Sequence, residues 1–151
     1  QQPMHVDAFR AYGANPTPMA YAELYGALQS GVVDGAEGAT SDYNAKKFYE
    51  VADHFSLVGW LNLIAHIGMS ADKFQSLPSD VQAALIEAGN ESATWQRQYV
   101  IEQEQPLLAE LKGKGVTIIE PDLTAFKEAS MPLYDGFIKT DSQRTLFEAL
   151  N

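Results

Sequence analysis

Two acids three positions apart, Asp34 and Glu37 around Gly35, are the nearest this chain comes to catalytic spacing. Working as general acid and base, they would need one carboxyl held protonated by burial. An Asp-Gly turn also uses aspartate simply to bond its own backbone. Asp34 is therefore open to a structural as well as a chemical role, and so is Glu37. Tyr21 follows an extended Pro-Met-Ala and reads as a core aromatic that also carries a hydroxyl. Trp60, after Gly59, is a core tryptophan or the wall of a pocket. Asn62 stands inside an apolar run and needs partners if it is buried, from a ligand or from backbone. His5, His54 and His66 are far apart and lack the HExxH spacing of a zinc site. Gly113-Lys114-Gly115 comes after a helical stretch, whereas a phosphate cradle must precede one. Dinucleotide, nucleoside-triphosphate and serine-hydrolase motifs are absent, and no cofactor is expected.

Bulk composition narrows the classes further. The 151 residues are 46% hydrophobic and 20% charged, and 20 acids against 10 bases leave a formal charge of −10. Nucleic acid and anionic membrane both demand dense Lys/Arg, so neither is an expected partner. With no cysteine, disulfides and thiolate sites are excluded. The longest stretch without a charged side chain, Phe55–Ala71, falls short of the ~20 apolar residues a membrane span requires and reads as two buried strands. One globular body of this length is expected to bury roughly 70% of its unfolded surface.

The elements that position these residues alternate helix with strand, which makes the chain α/β. Met4–Tyr12 is helical and stops at Gly13. Pro16 and Pro18 hold Thr17–Ala20 extended. Leu24, Ala27 and Leu28 then lie on one helical face, with Gly31 as a left-handed stop and Val32-Val33 as a short buried strand. Ala39–Val51 reads as one amphipathic helix, and Phe55–Trp60 and Leu63–Met69 as strands. Ser70 caps a helix over Ala71–Leu77, and Ser79 with Gln82 has the pattern of a capping box. From Asp80 to about Lys112 a single helix of ~45–50 Å is expected. That overshoots a sphere of ~15 Å radius of gyration, so the helix should either span two lobes or break at Pro106, and a kinked spanning helix is the favoured reading. Val116–Ile119 is a strand, Asp122 caps a helix that Pro132 interrupts, and a last helix begins at Ser142.

The block Pro16–Gly38, PTPMAYAELYGALQSGVVDGAEG, followed by KKFYEVADHF, resembles the solute-binding proteins of TRAP transporters, the DctP family. Its most specific part is Leu28–Glu37, and the likeness runs to about the end of the chain. The resemblance implies the C-terminal part of a periplasmic-binding-protein-like two-lobe fold. Residues 1–69 would be mainly the second ligand-binding lobe, 70–112 the spanning helical segment, and 113–151 the returning strand and C-terminal helices. It implies a periplasmic receptor that takes a small organic acid into an interlobe cleft, delivers it to the TRAP membrane permease and makes or breaks no bond. Tyr21, Glu37, Gly38, Trp60 and Asn62 are the ligand-facing positions it suggests. Gly38 stands where many relatives carry an asparagine that bonds the ligand carboxylate, so their sugar-acid specificity does not transfer. The arginine that clamps the carboxylate in the family is expected just upstream of Gln1-Gln2-Pro3.

Two other classes remain open on the residues alone. One is a small hydrolase or lyase using Asp34 and Glu37. The other is a helical interaction module whose long helix pairs with another chain through Trp95 and Tyr99.

Overall fold

The computed structural model describes residues 3–61 and 64–150. Seven helices are present among these residues: α1 (Pro3–Ala11), α2 (Leu24–Gln29), α3 (Thr40–Ala45), α4 (Ala71–Gln75), α5 (Ser79–Gly113), α6 (Leu123–Phe137) and α7 (Asp141–Leu150). Two strands, β1 (His54–Ser56) and β2 (Thr117–Ile119), pair in parallel with Phe55 opposite Ile118. The connection between them carries α4 and α5, the long crossover that a parallel pair requires.

A small core lies where the end of α5 meets this pair. Leu24, Tyr43, Phe48, Leu111 and Val116 are buried together, and Leu111 is fully enclosed. Gly115, in the left-handed region at φ 91°, turns the chain from α5 into β2. Its N–H bonds the Lys112 carbonyl while the Val116 N–H reaches back to Leu111. This is a Schellman cap, and it drops Val116 directly onto the residue it packs against. The Thr40 hydroxyl, buried, donates to Glu104 Oε1 at 2.8 Å and fastens α3 to α5. Lys114 Nζ donates to Glu110 at 2.6 Å and to Asn44 at 2.8 Å beside it.

A second contact joins the two ends of the chain. α1 rests on α6: the Tyr12 and Ser130 hydroxyls bond at 2.7 Å, and the Tyr12 ring meets Phe126 edge-on at 5.1 Å. α7 folds back through Tyr134 and Phe147, whose ring centroids are 4.6 Å apart.

Several expectations are corrected. Val32-Val33 is not a strand, and Val32 is 71% exposed. Gly31, at φ 70°, closes α2 with the same cap, and the N–H groups of Val32 and Val33 both point back to the Ala27 carbonyl. Donors spent on a helix end are not free for a ladder. The 63–69 run is not a strand over its described residues 64–69; Ile64 and Ile67 are exposed, and no described segment pairs with them. Lys47 adopts the left-handed conformation at φ 56°, which breaks the expected Ala39–Val51 helix into α3 and a 3₁₀ turn at Phe48–Glu50. Neither Pro106 nor Pro132 interrupts its helix. Ser79 does not cap α5; Gln82 instead donates to the Leu77 carbonyl at 2.8 Å. The reciprocal capping box is at α7, where Thr140 Oγ1 accepts from the Gln143 N–H and Gln143 Oε1 accepts from the Thr140 N–H. The caps expected from Ser70 and Asp122 are in place.

The expected burial is not reached. The accessible surface is 11292 Å², against about 7,600 Å² for a globular monomer of this mass. Much of α5 is among the exposed surface. Its 35 residues span about 52 Å, and only the last turns are packed. Before those turns Leu85, Ile86, Trp95 and Ile101 are exposed, and Trp95 stacks on Tyr99 at 4.9 Å with the pair facing solvent.

Candidate functional site

Two groupings hold the residues singled out from the sequence. The first surrounds Tyr21, in a 3₁₀ turn at Tyr21–Glu23 that follows the extended Pro-rich stretch. Its ring meets buried Phe48 edge-on at 5.8 Å. Burial, and then the charges of Asp42 and Glu37, push its phenol above the ordinary 10.0. The hydroxyl therefore stays protonated at neutral pH and available as a donor. Glu37 and Gly38 lie in the exposed segment between α2 and α3. A Cβ built on Gly38 meets nothing within 4 Å, so the position has open space in front of it.

Asp34 and Glu37 are both exposed and neither is hydrogen-bonded to another described residue. That exposure removes the desolvation an acid/base pair requires.

The second grouping surrounds Trp60. Its ring is held edge-on by His5 and by Phe9, each at 5.1 Å, so α1 sets its orientation. On its other side opens a hollow of about 280 Å³ between the segment after β1, the end of α1 and one face of α6. Phe126, Lys127, Ser130 and Tyr134 of α6 line it together with Tyr12. Tyr21, Glu37 and Gly38 line neither this hollow nor the shallower one beside it. The residues read as one ligand set thus fall into two places on this chain. Asn62 lies outside the described residues. The α6 residues were missed in the sequence, although Phe126, Ser130 and Tyr134 recur every fourth position, the spacing of one helix face.

No group of His, Asp or Glu side chains that could hold a metal occurs among the described residues, and none of their helices is long and apolar enough to cross a membrane.

The profile of the DctP family, bacterial extracellular solute-binding protein, family 7, matches residues 1–141. The chain belongs to the DctP family. A solute-binding protein of Verminephrobacter eiseniae is 35% identical over 140 residues, 92% of this chain and 42% of the relative. The 2,3-diketo-L-gulonate-binding periplasmic protein YiaO of Escherichia coli is 32% identical over 139 residues, 91% of this chain and 42% of its own length. Among solved structures, a TRAP periplasmic solute-binding protein of Xanthobacter autotrophicus with bound β-D-galacturonate superposes with a TM-score of 0.84 at 28% identity. That match covers 99% of this chain and 50% of the other. The chain therefore spans half or less of the length of these DctP relatives. Its fold is the matching part of their two-lobe architecture, with α5 as the long helix expected from the sequence. DctP proteins are binding receptors rather than enzymes, and their setting is the periplasm.

Proposed function

We propose that this chain supplies one wall of a two-lobe receptor that closes on a small organic acid and presents it to a TRAP membrane permease. Residues 1–69 contribute mainly the second lobe, 70–112 the helical span between lobes, and 113–151 the returning strand and last helices. The carrying observation is the superposition of nearly the whole chain onto half of a receptor with a bound sugar acid. The uncovered length of α5 supports it physically. An excess near 3,700 Å² is more than a standard protein–protein interface buries, and it suits the packing of a second lobe. Ligand binding would shift an open–closed equilibrium by its preference for the closed form.

In this reading Tyr21, Glu37, Gly38, Trp60 and Asn62 face the ligand. The protonated Tyr21 hydroxyl donates to it, Glu37 accepts from a ligand hydroxyl, and Trp60 offers an apolar face. Nitrogen-15 NMR, which reads weak as well as tight binding, tests this. Carboxylates such as D-galacturonate, D-glucuronate and phenylacetate should move amide signals of residues 21–38 or the Trp60 indole, while neutral D-galactose should not. Equal shifts with galactose, or none with any acid, would remove the proposal.

Gly38 offers a gain-of-function check. Its φ lies outside the left-handed region and its surroundings are open, so Gly38→Asn should leave stability within about 0.5 kcal/mol. The added amide donor should strengthen galacturonate binding by about three- to tenfold, the yield of one new hydrogen bond. Calorimetric or NMR titration of both forms measures the change.

A further inference from the structure

The hollow beside Trp60 has a composition that a hydroxyl-rich sugar acid does not need. Tyr12, Trp60, Phe126 and Tyr134 present four aromatic rings to a space of about 280 Å³, near the lower limit for a small-molecule site. In a chain of net charge −10, one cation, Lys127, stands at this hollow. Lys127 makes no ion pair or hydrogen bond with a described residue, so its ammonium is not already neutralised.

The two hydroxyls beside it are committed. Ser130 Oγ donates to the Phe126 carbonyl at 2.8 Å, which leaves Tyr12 to donate its proton to Ser130 at 2.7 Å. Both protons are thus used inside the wall. What the hydroxyl pair still offers a ligand is lone pairs, and these repel a carboxylate. The charged donor for an anion is Lys127. Its tether and its charge fit a single carboxylate at the rim, while the rings fit a flat apolar body.

The geometry points to Lys127, together with the Trp60–Phe126–Tyr134 hollow, as a subsite for a small aromatic monocarboxylate. This rests on the organic-acid receptor reading and narrows it. The substrate class is an acid with a planar apolar body, its carboxylate on Lys127, and the ring replaces the hydroxylated ring of a sugar acid. The preference arises because the rings match a flat apolar body, whereas the hydroxyls of a sugar acid find only the few lone pairs of Tyr12 and Ser130 to take their protons.

The test uses phenylacetate, its neutral isostere phenylacetamide, and D-galacturonate, each titrated against the nitrogen-15-labelled chain. The two tryptophan indole signals are assigned through Trp95→Phe, a solvent-facing site. Phenylacetate should shift the Trp60 indole with saturation and bind about tenfold more tightly than phenylacetamide, the contribution of one charge-assisted contact. Lys127→Gln should bring phenylacetate down to the phenylacetamide level, leave phenylacetamide unchanged and keep the circular dichroism spectrum. Lys127→Arg should retain the preference.

Equal binding of phenylacetate and phenylacetamide would overturn the role of Lys127. Galacturonate shifting the 21–38 amides while phenylacetate leaves Trp60 untouched would overturn the aromatic subsite but leave the receptor reading intact. Silence with every acid would remove both.

Discussion

Replacing Leu111 with alanine is expected to cost about 3–4 kcal/mol, a large share of whatever stability this chain has. Leu111 is the one fully buried large side chain among the described residues, and it touches the cluster that also holds Leu24, Tyr43, Phe48 and Val116. Those residues come from α2, α3, the following 3₁₀ turn and the segment entering β2, so one truncation loosens four segments at once. The Tyr43 hydroxyl donates to the Ala52 carbonyl just before β1, and that rigid neighbour limits how far the site can collapse around a cavity. Incomplete collapse keeps the cost above the low end of the usual range. Urea unfolding of the two forms measures it, with Leu111→Met, which conserves volume, expected to lose less than about 1.5 kcal/mol. A loss below about 1 kcal/mol for alanine would mean that this cluster is not the core.

The second large effect is expected at Trp60. Alanine there removes both edge-on contacts, with His5 and with Phe9, and takes away the wall that the ring gives to the hollow. Aromatic pairs contribute about 0.5–1.5 kcal/mol each beyond their burial, so a cost of about 2–3 kcal/mol is expected for this half-buried residue. α1 should nonetheless stay docked, because Tyr12 holds α6 through Ser130 and Phe126 independently of Trp60. Binding of an aromatic acid should fall at least about tenfold, since a base of stacking and desolvated area is lost. Trp60→Phe keeps a ring in place and should recover most of the stability and part of the binding. Thermal melts with and without phenylacetate separate the two effects. A Trp60→Ala protein that melts lower yet binds as before would detach the ring from any ligand role.

Several helix stops and caps were legible because each depends on a few neighbouring residues, although the capping box expected at Ser79 was not one of them. Gly31 and Gly115 end their helices in the left-handed region as their positions imply, and Ser70 and Asp122 accept the backbone bonds expected of them. The length of α5 was also readable, since no glycine cluster intervenes between Asp80 and Lys112. The family likeness in Leu28–Glu37 carried the rest, and the family match bears it out.

Strands were less legible. Val32-Val33 and the 63–69 run have the side chains of buried strands, but a strand exists only where a partner meets its N–H and C=O groups. Among the described residues only His54–Ser56 finds one, more than sixty residues away at Thr117–Ile119.

The candidate site shows the same division. Residue types singled out Tyr21, Glu37 and Trp60 as positions with more than one open role, and the likeness to a family added Gly38 and made them one ligand set. The tertiary structure separated Trp60 from the other three and set Lys127 and the aromatic face of α6 beside it. It also decided that most of α5 finds no cover among the described residues. Local order is written in short-range bonds that a sequence displays directly. Which distant faces meet depends on the sum of many weak contacts between segments, and these come into being only when the chain has folded.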